Sequence, residues 1–231
     1  MTAAKVYRYG LCASAALEST DMIHITLSDG SLREYDQPLS VYELAASIGP
    51  GLAKAAVAGR VDGVLVDCEF MIEADARVNI VTPREPDGLE ILRRSCALML
   101  AMAVKQLYPK AQLQTGSALG DGFYYEFSLE RPLNLVDLAG IEARMKTLAA
   151  TNHSIRRREP SLRPRYMEKL TPYVLGGFEC VSTGPHAPAT RVLQAFALDH
   201  ISGTAPQRIY GTCWSCQEEL ENWRAPPHVM V

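Results

Sequence analysis

The sequence lacks any apolar run approaching the roughly 20 consecutive residues a membrane helix needs, and no basic flank with a long apolar centre opens it. No membrane partner is therefore expected. It also lacks a surplus of positive charge: 23 Lys and Arg stand against 26 Asp and Glu, for a net charge of −3. No global field draws such a chain to nucleic acid, so any RNA contact must be local. The six cysteines are scattered through 231 residues rather than grouped as a short disulfide framework. That spacing excludes a disulfide-stapled secreted scaffold and points to a reducing, cytoplasmic setting. With 48% hydrophobic and 21% charged residues, the chain can build two modest cores. The division expected is an extension over residues 1–20, a first domain over 21–85 and a second over 86–231.

Within the first domain, Ile23–Leu27 alternates as a strand, Asp29-Gly30 supplies a tight turn, and Leu32–Tyr35 reads as the partner strand. Ser40 with Glu43 three residues on is a capping box for a helix over Val41–Ile48, which Gly49-Pro50-Gly51 ends. A short helix over residues 52–56 and strands over 59–66 and 77–81 complete a hairpin, helix and return-strand pattern. This is the order of a ubiquitin-like β-grasp.

The second domain opens with apolar residues at Leu92, Cys96, Met99, Leu100, Ala103 and Leu107, the spacing of a buried helix over residues 89–107. A strand from Gln112 turns at Gly120-Asp121-Gly122 into the aromatic run Phe123-Tyr124-Tyr125-Glu126-Phe127. Asn134 or Asp137 starts a further helix through Leu148. Residues 178–182, 192–198 and 207–213 read as short strands, and 217–223 as a closing helix. The fold class expected is α+β, a β-grasp followed by a central helix packed on an antiparallel sheet.

The blocks "ITLSDGS", "IGPGLAKAAVAGRVDG" and "LVD" resemble the TGS domain at the start of threonyl-tRNA synthetases. "GLEILRRSCALMLAMAVKQLYP", "GDGFYYEF", "TGPHAP" and "QRIYGTCWSCQEEL" resemble, in order, the editing domain that follows it in the bacterial enzymes. The resemblance implies a fold whose relatives hydrolyse wrongly charged seryl-tRNA. No ATP-binding core or anticodon domain is recognisable in these 231 residues, so aminoacylation is not expected.

By that resemblance, the editing site carries two histidines four residues apart on the central helix, and a cysteine and a histidine four apart at a Gly-Pro-His turn. Here the helix positions hold Arg94 and Leu98, and the turn positions hold Ser182 and His186. Neither Arg94 nor Leu98 can ligate a metal or act as a neutral base, and a hydroxyl is a poor zinc ligand. No metal or other cofactor is expected. Cys180 stands where the resemblance implies an acidic residue, and the chain is shorter than the pattern between Arg158 and Phe178 and between Ile201 and Gln207.

The candidate catalytic residues are then His186, Ser182 and Cys180, with His186 as general base or orienting group. A histidine kept only to pack its turn is the competing reading. Arg94, whose forked donors suit a carboxylate or phosphate, and Tyr124, on the aromatic strand, are the candidates for substrate binding. Arg156-Arg157-Arg158 is either a solvated face or a contact for RNA backbone, and the CxxC pair Cys213 and Cys216 lacks a second pair for a zinc site. Three functions fit this pattern: a protein acting on aminoacyl-tRNA by deacylation or aminoacyl transfer, an enzyme for a small-molecule acid, and a non-catalytic module binding tRNA or a synthetase.

Overall fold

The computed structural model describes residues 22–158 and 170–225; the N-terminal extension and part of the shortened stretch after Arg158 lie outside them. The first element forms because Gly30 takes a φ of 84° and the Asp29 carboxylate accepts from the Ser31 amide at 2.9 Å. That turn joins strand β1 (Ile23–Leu27) to β2 (Leu32–Tyr35). Ile23 and Ile25 of β1 are buried, as period-two alternation requires. A short strand β3 (Leu39–Ser40) leads into helix α1 (Val41–Ile48), whose capping box is present in both directions. The next helix, α2 (Pro50–Ala55), starts two residues earlier than expected because Pro50 fits the first helical turn.

Strands β4 (Ala58–Val61) and β5 (Val64–Val66) form a hairpin through Asp62 and Gly63, both at positive φ (47° and 84°). A short β6 (Met71–Ile72) pairs with β3, and β7 (Ala76–Val81) runs parallel to β1. The five-stranded sheet has the order β2-β1-β7-β4-β5, and α1 packs Val41, Leu44 and Ala45 into its core. This is the β-grasp.

Helix α3 (Pro86–Leu107) follows almost at once, with proline in its first turn and most residues from Ile91 to Val104 buried. Gly88 lets it start there, since a side chain would put Cβ 1.9 Å from the Thr82 carbonyl oxygen. Strands β8 (Gln112–Leu119) and β9 (Gly122–Ser128) form the hairpin that packs on α3, and Phe123, Tyr125 and Phe127 face it. Helix α4 (Leu135–Ala150) is capped by Asn134, whose side chain accepts from the amides of Val136 at 2.8 Å and Asp137 at 3.2 Å.

Beyond α4 lies a three-stranded sheet of β10 (Ile155–Arg157), β11 (Thr171–Leu175) and β12 (Phe178–Ser182). Strand β13 (Ala195–Ser202), β14 (Gln207–Trp214) and a last helix α5 (Gln217–Arg224) complete the fold, in a sheet ordered β13-β14-β9-β8. Residues 192–198 are not one strand. Thr190 to Val192 make a short 3-10 turn. The Thr190 hydroxyl donates to the Leu148 carbonyl at 2.8 Å and accepts from the His153 amide at 2.9 Å, bending the chain before β13 begins.

The apolar cores meet across the boundary. Val57, Ala58 and Val81 of the β-grasp lie in the same buried cluster as Leu92, Tyr173 and Ala187. Among the described residues, no helix is long and apolar enough to cross a membrane.

Candidate functional site

Strand β12 ends at Ser182, and the chain then turns through Thr183-Gly184-Pro185 onto the flank of α3. This places His186 against Ser95 of the helix and back over Ser182. The imidazole Nδ1 lies 3.2 Å from Ser95 Oγ, and Nε2 lies 2.9 Å from Ser182 Oγ. The tautomer follows from the partners of Ser95. Its hydroxyl donates to the Ile91 carbonyl at 2.7 Å and accepts from the Ala187 amide at 2.9 Å. With its one proton committed, Ser95 can only accept from His186, so Nδ1 carries the hydrogen. The lone pair on Nε2 then faces the Ser182 hydroxyl, which donates to it.

The ring is nearly sealed, at 1% exposure, and Tyr173 packs edge-on against it with ring centres 4.5 Å apart. Burial, and secondarily the charge of Arg94, push the His186 pKa down to about 3. Below it, the His186 amide donates to Asp67 Oδ1 at 2.9 Å, and the Tyr173 hydroxyl donates to both Asp67 oxygens at 3.1 and 2.9 Å. Asp67 comes from the β-grasp, directly after β5. Its burial raises its pKa, partly offset by the His186 amide and the Tyr173 hydroxyl.

Arg94 lies on the same face of α3, but its donors are engaged. One terminal nitrogen donates to the carbonyls of Gly184 at 3.0 Å and Pro185 at 3.2 Å, and the other pairs with Glu90. The guanidinium holds the turn to the helix instead of presenting an open fork to a ligand acid; its Nε is buried without a partner among the described residues. Leu98, one turn on, is core. The neighbouring Arg93 points elsewhere, donating to the carbonyls of Cys213 and Gly120 and lying 5.3 Å from the centre of the Trp214 ring.

Cys180 shares the inward face of β12 with Ser182, as alternate residues of a strand must. Its thiol is half-buried, 3.9 Å from the Tyr173 carbonyl, and burial pushes its pKa up to about 12. It remains a thiol at neutral pH and is a weak nucleophile. Tyr124 is on the opposite face of β9 from the helix, with the Arg208 guanidinium 4.4 Å from its ring centre and Tyr210 beside it. The tyrosine that faces inward is Tyr125, whose burial pushes its pKa up to about 12.

The arginine run is internally paired: Arg156 with Glu69 at 3.1 Å, Arg157 with the Thr171 hydroxyl at 2.8 Å, and Arg158 with Glu179. Cys213 is buried while Cys216 is exposed. Among the described residues, no cluster of three or more His, Cys, Asp or Glu side chains could hold a metal. Three residues the sequence reading missed complete the site: Ser95, Asp67 and Tyr173. Asp67 sits in the quoted "LVD" block and Ser95 beside Arg94, whereas nothing in the sequence marks Tyr173.

Fold and site together define a class: a β-grasp domain joined to an α+β unit in which a strand serine meets a buried histidine on a Gly-Pro turn. Residues 23–82 match the TGS domain family and form a TGS domain. The chain as a whole is similar to the N-terminal region of threonyl-tRNA synthetases. It is 45% identical over 225 residues to the threonine-tRNA ligase of Methylococcus capsulatus, covering 85% of this chain and 35% of that protein. Identity is 42% over 231 residues with the threonine-tRNA ligase of Legionella pneumophila (strain Corby), covering 87% and 36%. For that of Methylibium petroleiphilum it is 43% over 231 residues, with the same two shares. The chain thus spans about a third of the length of the curated relatives it matches.

Proposed function

We propose that the chain acts in the cytoplasm on aminoacyl-tRNA, removing or transferring the aminoacyl group through a reduced editing site built on Ser182 and His186. The observation that carries this reading is the 2.9 Å contact between Ser182 Oγ and a His186 Nε2 left as acceptor by the Ser95 contact. In the step proposed, Ser182 Oγ bonds to the ester carbonyl carbon, its proton passes to Nε2, and the carbon–oxygen bond to the ribose breaks as that proton reaches the leaving oxygen. Water then takes the acyl group from Ser182 in deacylation; an acceptor nucleophile takes it in transfer. Similarity to threonine-tRNA ligases supports an aminoacyl-tRNA as the substrate class.

An imidazole that binds protons as weakly as His186 makes a slow base, because efficient general bases have pKa values near the working pH. The turnover expected is low, and the rate should show no inflection near the ordinary histidine pKa, staying flat from about pH 5 to about pH 8. Deacylation of Ser-tRNA and Thr-tRNA by native protein, Ser182→Ala and His186→Asn tests the reading. Native protein should exceed the uncatalysed rate while both variants fall to it. Equal, negligible rates for all three would remove the catalytic reading.

The burial of His186 favours a second reading, a module that binds tRNA without catalysis. Retardation of tRNA by a protein with no deacylase activity would support it. If it used the arginine run, phosphate would compete with the exposed pairs Arg156–Glu69 and Arg158–Glu179.

A further inference from the structure

We propose that Asp67, contributed by the TGS domain, is a positioning residue for the Ser182–His186 pair, so that the β-grasp forms one wall of the candidate site. The proposal rests on the reading that this pair is the site. Asp67 is 7% exposed. A carboxylate removed from water is costly unless hydrogen bonds replace its hydration. Here they come from the second unit: the His186 amide at 2.9 Å, and the Tyr173 hydroxyl at 3.1 and 2.9 Å to the two oxygens.

These contacts control the imidazole from two sides. The first fixes the backbone from which the ring projects. The second fixes Tyr173, whose ring stands edge-on to the imidazole with centres 4.5 Å apart. Gly184 makes this possible, since a Cβ there would lie 1.8 Å from the Tyr173 hydroxyl. Among the described residues, releasing Asp67 leaves Ser95 and Ser182 as the hydrogen-bond partners of His186 still in place, both on the ring. The backbone that carries the ring then has freedom to shift against α3, and misplacement of a base by about an ångström is enough to cost two orders of magnitude in rate.

The test compares the native chain with Asp67→Ala and Tyr173→Phe. Ala removes both acceptor oxygens and so releases the His186 amide and the Tyr173 hydroxyl, while Phe removes only the hydroxyl, so Tyr173→Phe keeps the test readable should Asp67→Ala fail to fold. The primary readout is the His186 ring nitrogen spectrum at pH 7.5. Native protein should show a protonated Nδ1 in slow exchange with solvent. Each variant should shift that signal and speed its exchange at least tenfold, while thermal unfolding stays cooperative. In the deacylation assay each should lower kcat about tenfold with KM within twofold.

Unchanged ring signals in folded variants would overturn the proposal. Shifted ring signals in a protein without deacylase activity would uphold the positioning role while sinking the proposed reaction. Shifted signals with unchanged kcat in an active protein would overturn the role as well.

Discussion

Protonating His186 places a charge where the fold leaves almost no water. Its pKa is held near 3 against an ordinary 6.5, by burial first and Arg94 second. Between those values the unfolded chain binds the proton and the native chain does not, so stability falls as pH drops through that window. The loss between pH 7.5 and pH 5.0 should reach up to about 2 kcal/mol, read from urea titrations, and His186→Asn should flatten the slope. An equally steep slope in the variant would rule out this residue as its source. Asp67 works in the opposite sense, because a raised carboxylate pKa removes stability as pH rises. Comparison with the histidine variant is what isolates the His186 share. Gly184→Ala is a steric case: with Cβ forced against the Tyr173 hydroxyl, it should cost about 1–3 kcal/mol in the same titrations.

The starts of α1 and α4 and the tight turns were legible because their determinants are local, whereas α2 and α3 begin earlier than expected, at Pro50 and Pro86. Ser40 with Glu43, and Asn134 with Asp137, close capping boxes within four residues of chain. Asn134→Ala should therefore destabilise the protein by about 1 kcal/mol, measurable by denaturant midpoint. Strand β11 was not legible: Pro172 weakens its strand signature, and its backbone partners come from β10 and β12. On β9 the alternation announced two faces but not which one looks inward, and Tyr124 proved to be on the outer one. Tyr125→Ala should cost about 3 kcal/mol or more by thermal or chemical unfolding, and Tyr124→Ala clearly less, since only Tyr125 lies in the core. Equal losses would contradict that assignment.

At the scale of the whole molecule, the order of the two domains could be read from sequence, but their joint could not. His186 and Ser182 stood out because the resemblance places the turn positions of an editing site on them; Asp67 and His186 are separated by 119 positions, and only tertiary folding pairs them. The shared apolar cluster around Val57, Val81 and Leu92 makes the same joint hydrophobic. The described units should therefore unfold in a single transition, with coincident far-ultraviolet and near-ultraviolet signals; two separated transitions would show that the joint is weak.

The carboxylate of Asp67 also limits how such proteins can be recombined. A chimera that grafts a foreign β-grasp onto this α+β unit inherits a buried peptide N–H at His186 with no acceptor, unless the donor parent supplies an oxygen at the matching place. The two modules are interchangeable only as a matched set, and an engineer swapping one of them would have to carry Asp67 along with its new neighbour.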